Sequence, residues 1–196
     1  MSMEDQNNKN QAEPAIVDRL FRNRVILVTE EVSRESFASF FRQLIAMDSE
    51  SSDPITVYVN SPGGDAYTGL AFYDSLRFVK SPVTIIGAGL VASAAALMYL
   101  AVPKERRLSL PDTRFLIHQP LIQGSEDSPF MTSVQIDIEA AEMDSLRKRL
   151  DSIIAESTGM SLEDTVKATE RDCWLSAEDA ERMGIVGRII SNISEK

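Results

Sequence analysis

The sequence predicts an α/β fold built on a mainly parallel sheet, and three observations carry that reading. Val25–Val28 and Ile55–Val59 are short, uncharged runs rich in β-branched residues, the pattern of strands covered on both faces. Between such runs lie longer segments whose apolar residues recur at three- and four-residue intervals, the signature of helices with one buried face. Dense turn signals such as Asn60-Ser-Pro-Gly-Gly-Asp65 separate the two kinds of segment. Strands alternating with helices favour parallel pairing through crossover connections.

The elements follow in order. After the strand Val25–Val28, Ser33 is placed to cap a helix in which Phe37, Phe40, Phe41, Leu44 and Ile45 share a face up to about Met47. A polar loop, Asp48–Pro54, leads to the strand Ile55–Val59, and the glycine turn opens a helix over Ala66–Val79. Leu108 and Phe115–Ile117 are further strand candidates, the second delivering His118-Gln-Pro120 at its end. Leu121–Pro129 reads as an irregular acidic loop. Apolar spacing then predicts a helix from about 131 to 157, roughly 40 Å long at 1.5 Å per residue. That length means either packing across the whole domain or projection toward another subunit. Gly159 ends this helix, and Ser161-Leu-Glu-Asp164 and Ser176-Ala-Glu-Asp179 read as capping boxes of two more. Ile185–Ile190 is a terminal strand.

Composition bounds the rest. The 196 residues are 43% hydrophobic and 26% charged, consistent with one domain over 15–196 preceded by a disordered or processed tail over 1–14. A net charge of −10 and a pI near 4.7 argue against nucleic-acid and anionic membrane partners. One cysteine, Cys173, excludes an internal disulfide, and with a single histidine it excludes a zinc site of the usual Cys/His kind. No apolar signal segment opens the chain, and cytoplasmic placement is expected.

The stretch Val83–Val102 is 20 residues without a charge, long enough to nominate a membrane span. Its internal pattern points elsewhere. Val83–Ile86 reads as a buried strand, Gly87 and Gly89 punctuate it, and Ala92–Ala101 reads as a helix. Ser93 falls where strand becomes helix, beside free backbone N–H groups. Ser93, His118 at a strand end and Asp172 in a late loop can meet beyond the carboxyl ends of parallel strands. A serine hydroxyl needs an adjacent base, an imidazole supplies one, and a carboxylate fixes the imidazole tautomer. Each residue alone has an ordinary explanation: a tolerated small residue, a satisfied core histidine, a helix-flanking charge. Gly63-Gly64 alone is a turn, and no phosphate-loop pattern follows it. Local physics therefore reaches a hydrolytic α/β enzyme as one option and stops there.

Taken together, Tyr58-Val-Asn-Ser-Pro-Gly-Gly64, Gly69-Leu-Ala-Phe-Tyr-Asp74, Gly89-Leu-Val-Ala-Ser93, Ile117-His-Gln-Pro120, Thr158-Gly159, Arg171-Asp172 and Leu175-Ser-Ala177 resemble the proteolytic subunit of the Clp protease, in order from about Val25 to Ile190. The resemblance implies a crotonase-like fold of stacked βαβ units, with the helix over about 131–157 as a handle between two rings. It implies an ATP-dependent serine endopeptidase in which Ser93 is the nucleophile, His118 the general base and Asp172 the orienting acid. The backbone N–H groups of Gly64 and Ala94 match the family's oxyanion hole. Gly63, Asp65, Leu121 and Gln123 fall in the segments that would pair with a substrate strand. It also implies a tetradecamer of two heptameric rings fed with unfolded proteins by an AAA+ unfoldase such as ClpX, ClpA or ClpC, with ATP used by that partner and no cofactor in this subunit.

Three departures qualify the match. The usual Ala-Ser-Met-Gly around the nucleophile is Ala92-Ser-Ala-Ala95; the usual Gly-rich strand after His-Gln-Pro is Leu121-Ile-Gln-Gly-Ser-Glu-Asp-Ser-Pro129; and the usual N-terminal Gly-Glu-Arg pattern is absent. They suggest a divergent paralogue working in a mixed barrel with a second proteolytic subunit. The alternatives left open are a latent or structural subunit of such a barrel and an acyl-CoA enzyme of the wider crotonase fold.

Overall fold

In the computed structural model, which describes residues 15–121 and 132–196, a helix over 15–22 (α1) precedes a seven-stranded sheet. Strands β1 (Val25–Val28), β2 (Ile55–Ser61), β3 (Val83–Ala92), β4 (Arg107–Ser109) and β7 (Arg188–Ile189) lie side by side in that order, all parallel. The connections include α2 (Arg34–Glu50), α3 (Ala66–Phe78) and α4 (Ala94–Leu100), which alternate with β1, β2 and β3 as expected for βαβ units.

β3 is the organising strand. Its first part pairs with β4 through Ile85–Gly87, and its last part pairs with β5 (Arg114–Ile117) through Leu90–Ala92. Gly87 and Gly89 were expected to end the strand; instead it runs through them to Ala92. The glycines fall where the partner changes from β4 to β5 and where the register with β2 shifts between Val59 and Ser61. A glycine inside a strand is a site of bulging or close approach more often than of termination. A further strand, β6 (Cys173–Leu175), pairs antiparallel with β5. Nothing in its three residues distinguished it from loop.

The core lies between one face of the sheet and the helices. Ile26, Val57, Val59, Ile85 and Val91 pack against Leu44, Met47, Phe72, Met98 and Ile153. Every residue of α4 is buried, which accounts for its Ala-rich, uncharged sequence. Among the described residues no helix is long and apolar enough to cross a membrane. On the sheet's other side Tyr58 joins a small cluster of Ile86, Leu108 and Ile190.

The caps read from sequence are present. Ser33 and Ser176 form full capping boxes with Ser36 and Asp179, whereas at Ser161 only the N-cap half forms: its side chain accepts from the Asp164 N–H without the reciprocal bond that the spacing predicted. The three serines open α2, α6 (Leu162–Thr169) and α7 (Ala177–Arg182). The long helix α5 is Ser133–Thr158, capped by Thr132 and ended by left-handed Gly159. It packs on the domain from about Glu142 onward, burying Leu146, Leu150, Ile153 and Ile154 with Met143 at the margin. Its first turns leave Val134, Ile136 and Ile138 exposed, the projecting alternative of the two that its length allowed. The acidic loop beginning at Leu121 and the tail over 1–14 lie outside the described residues apart from Leu121 itself.

Candidate active site

Strand register assembles the site. Ala92 pairs with Leu116 in the parallel β3–β5 ladder, and the Ser93 N–H continues it by donating to the Leu116 carbonyl at 2.9 Å. Ile117 pairs with Cys173 in the antiparallel β5–β6 ladder, so the next pair out is His118 opposite Asp172. Three residues remote in sequence are thereby set side by side.

At the end of β3 the backbone turns sharply. Ser93 has φ 55° and ψ −124°, a positive φ that a residue with a side chain adopts only at some cost. The turn lifts the hydroxyl off the sheet, and Ser93 Oγ lies 2.7 Å from His118 Nε2. On the far side of the ring, Asp172 Oδ1 is 3.3 Å from Nδ1. That second contact is loose, and the two ends differ in exposure: the His118 side chain is 14% accessible and that of Asp172 is 65%. The imidazole is held in a mostly covered position with one nitrogen toward the hydroxyl and the other toward a solvated carboxylate.

Gly63 packs against this elbow, and Gly64 beside it packs against Val32. A Cβ on Gly63 would lie 2.5 Å from the Ala92 carbonyl oxygen, 2.7 Å from Ser93 Cβ and 3.0 Å from the Ala94 nitrogen. A Cβ on Gly64 would lie 2.4 Å from the Val32 carbonyl oxygen. Both have positive φ, 89° and 149°, so glycine is required by conformation and by space. Val32 forms a parallel bridge with Gly64: its N–H donates to the Gly63 carbonyl and its carbonyl accepts from the Asp65 N–H. Gly64's own N–H and carbonyl consequently turn away from Val32. Among the described residues neither the Gly64 nor the Ala94 N–H donates to a protein acceptor. The Ala94 N–H is thus an unspent donor in the residue after Ser93, and the Gly64 N–H is a second one in the adjacent glycine loop.

The remaining expected contact residues divide. Gly63 and Asp65 have committed the carbonyl and N–H named above to Val32, and the Asp65 carboxylate caps α3 by accepting from the Thr68 N–H at 2.7 Å. Leu121 is 73% exposed beyond Pro120, free to meet another chain. Gln123 lies outside the described residues. Sequence reading missed a small recess of about 30 Å³ beside the hydroxyl, walled by Ala66, Leu97, Pro120, Leu150 and Ile154 with Ser93 and His118 at its edge. Its walls come from α3, α4 and α5, and only the tertiary structure gathers them. Among the described residues no group of three His, Cys, Asp or Glu side chains is arranged to hold a metal.

A serine oxygen with a base at hydrogen-bond distance, a carboxylate behind the base and an unspent backbone donor just after the serine at a strained strand-to-helix turn are the equipment of a serine hydrolase. The family model described as Clp protease matches residues 8–193, and the chain belongs to that family of serine peptidases. It is 40% identical over 192 residues to the ATP-dependent Clp protease proteolytic subunit 2 of Treponema denticola, covering 96% of this chain and 92% of that one. It is 42% identical over 195 residues to proteolytic subunit 3 of Rhizobium etli, covering 98% of each. Among solved structures, a point mutant of ClpP1 from Listeria monocytogenes superposes with a TM-score of 0.84 at 40% identity, covering 91% of this chain and 98% of that chain. The fold is accordingly the α/β fold of Clp proteolytic subunits, and the activity is proteolysis.

Proposed function

We propose that Ser93, His118 and Asp172 form the catalytic triad and that Gly64 and Ala94 supply the oxyanion hole. His118 Nε2 takes the Ser93 proton as Oγ bonds to the scissile carbonyl carbon, and the carbonyl electrons move onto its oxygen. The Gly64 and Ala94 N–H groups bind that oxyanion. The tetrahedral centre collapses, the C–N bond breaks, and His118 returns the proton to the leaving amine. Water then repeats the sequence on the acyl-serine, releasing the acid and restoring the hydroxyl. Asp172 keeps Nδ1 protonated so that Nε2 is free to accept.

The peptide runs as an added strand between the Gly63–Asp65 segment, on the side away from Val32, and the segment beginning at Leu121. The neighbouring recess takes an apolar side chain. The subunit works within heptameric rings stacked as a tetradecamer, and an AAA+ ATPase unfolds and delivers its substrates. The projecting first turns of α5, with their exposed apolar residues, are the surface that supports ring assembly.

The 2.7 Å approach of Ser93 Oγ to His118 Nε2 carries this reading. A fluorophosphonate probe tests it, with the adduct located by peptide mass spectrometry on the assembled protein. Modification at Ser93, abolished in His118→Ala, is the expected result. An unmodified Ser93 in an intact assembly overturns the assignment of an active nucleophile and favours a latent subunit of a mixed barrel.

A further inference from the structure

We propose that Tyr67 is a specificity-determining residue that fixes the width of the apolar recess through its hydrogen bond to Glu142 on the long helix. This rests on Ser93 being the nucleophile and the recess being the binding site for the adjacent substrate side chain. Tyr67 stands in the first turn of α3, next to Ala66, which forms part of the recess wall. It stands two residues after the Gly63–Asp65 segment. The residue is 51% exposed, so it is not held there by burial. Its hydroxyl donates to the Glu142 carboxylate, and that carboxylate pushes the tyrosine pKa above its ordinary value, keeping the phenol protonated as a donor.

Glu142 belongs to a particular stripe. Glu142, Leu146, Leu150 and Ile154 are spaced by four and lie along one face of α5. Leu150 and Ile154 form the recess wall opposite Ala66. The recess is therefore bounded by α3 on one side and α5 on the other, with α4 between them. Among the described residues the Tyr67–Glu142 bond is the one polar link that joins α3 to α5. The same helix loses its packing toward its N-terminal end, where Val134, Ile136 and Ile138 are exposed. Without the link, the polar ties left on α5 lie at its C-terminal half, where Asp151 accepts from Thr169 and the Ser157 carbonyl accepts from Arg107, so the segment around Glu142 is released from α3 and the recess wall at Leu150 loses its anchor on that side.

The test is hydrolysis of a peptide pair differing only at the residue before the scissile bond, one leucine and one alanine, by the assembled protein and its variants. Tyr67→Phe and Glu142→Ala should each lower the leucine-over-alanine preference in kcat/KM by about three- to fivefold, the size expected for an exposed charge-assisted hydrogen bond. The change should lie mainly in KM for the leucine peptide. Glu142→Gln keeps a carbonyl acceptor and should restore the preference, and the Tyr67→Phe/Glu142→Ala double variant should be no worse than either single one. Fluorophosphonate labelling of Ser93 should keep its wild-type rate in all four variants. A preference unchanged in both single variants, or single effects that add in the double, overturns the proposal. Loss of assembly with both peptides affected alike overturns it too, by making the link merely structural. Failure of wild-type Ser93 to label is a separate result, directed at the nucleophile assignment.

Discussion

His118 Nε2 sits 2.7 Å from Ser93 Oγ, although 25 residues separate them, because both stand one residue past the ends of adjacent parallel strands. Among the described residues the Ser93 hydroxyl makes no other hydrogen bond, so its removal disturbs reactivity far more than structure. Ser93→Ala should lower peptide hydrolysis by at least about 10³-fold while leaving assembly intact. Turnover of a fluorogenic peptide and native mass spectrometry on the same sample check both halves.

Asp172 is coupled to His118 more weakly. The contact is 3.3 Å and the carboxylate is largely solvated, so water shares the task of stabilising the imidazolium. Asp172→Asn should cost less than the roughly 10⁴-fold typical of a buried triad aspartate. Comparison of its kcat with that of His118→Ala, which should be the lower of the two, checks the ordering.

The glycine pair tolerates no side chain. Gly63→Ala drives a Cβ into the Ala92 carbonyl and the Ser93 side chain, and Gly64→Ala drives one into the Val32 carbonyl. Each should destabilise the protein by about 1–3 kcal/mol, from strained backbone and forced displacement. Gly63→Ala should lose more activity, because its clash falls on the elbow itself. Thermal unfolding alongside kcat separates the two effects.

Asp48 ties α2 to the start of β3. Its carboxylate accepts from the Lys80 N–H at 3.0 Å and the Ser81 N–H at 2.8 Å. Partial burial raises its pKa, but the hydrogen bonds from Ser81 and Lys80 and the lysine charge outweigh it, and the net shift is downward from 3.8. A folded-state pKa below the unfolded one stabilises the protein above the unfolded value and ceases to do so as pH falls through the folded value. Asp48→Asn should therefore lower the urea midpoint at pH 7, and the gap from wild type should narrow as pH falls below 3.8. A gap that stays constant across that range contradicts the assignment.

Much of this was legible in the chain itself. Apolar runs placed β1 and β2, serine caps placed α2, α6 and α7, and Gly159 placed the end of α5, because these signals are local and act within a few residues. The serine at the strand-to-helix junction and the histidine at a strand end were visible for the same reason. The collinear motifs identified the family before any distance was known.

What the sequence could not determine is register. β6 is three residues long and carries no periodic pattern, yet its antiparallel pairing with β5 sets Asp172 opposite His118. The passage of β3 through two glycines, the commitment of Gly63 and Asp65 to Val32, the recess between α3 and α5 and the Tyr67–Glu142 link all depend on segments far apart in the chain. Local propensity fixes which residues form a strand or helix, and burial of the shared core then fixes how those elements align. In this protein the chain specified the chemical groups and the elements that carry them. The packing of one sheet against its helices decided which of those groups touch.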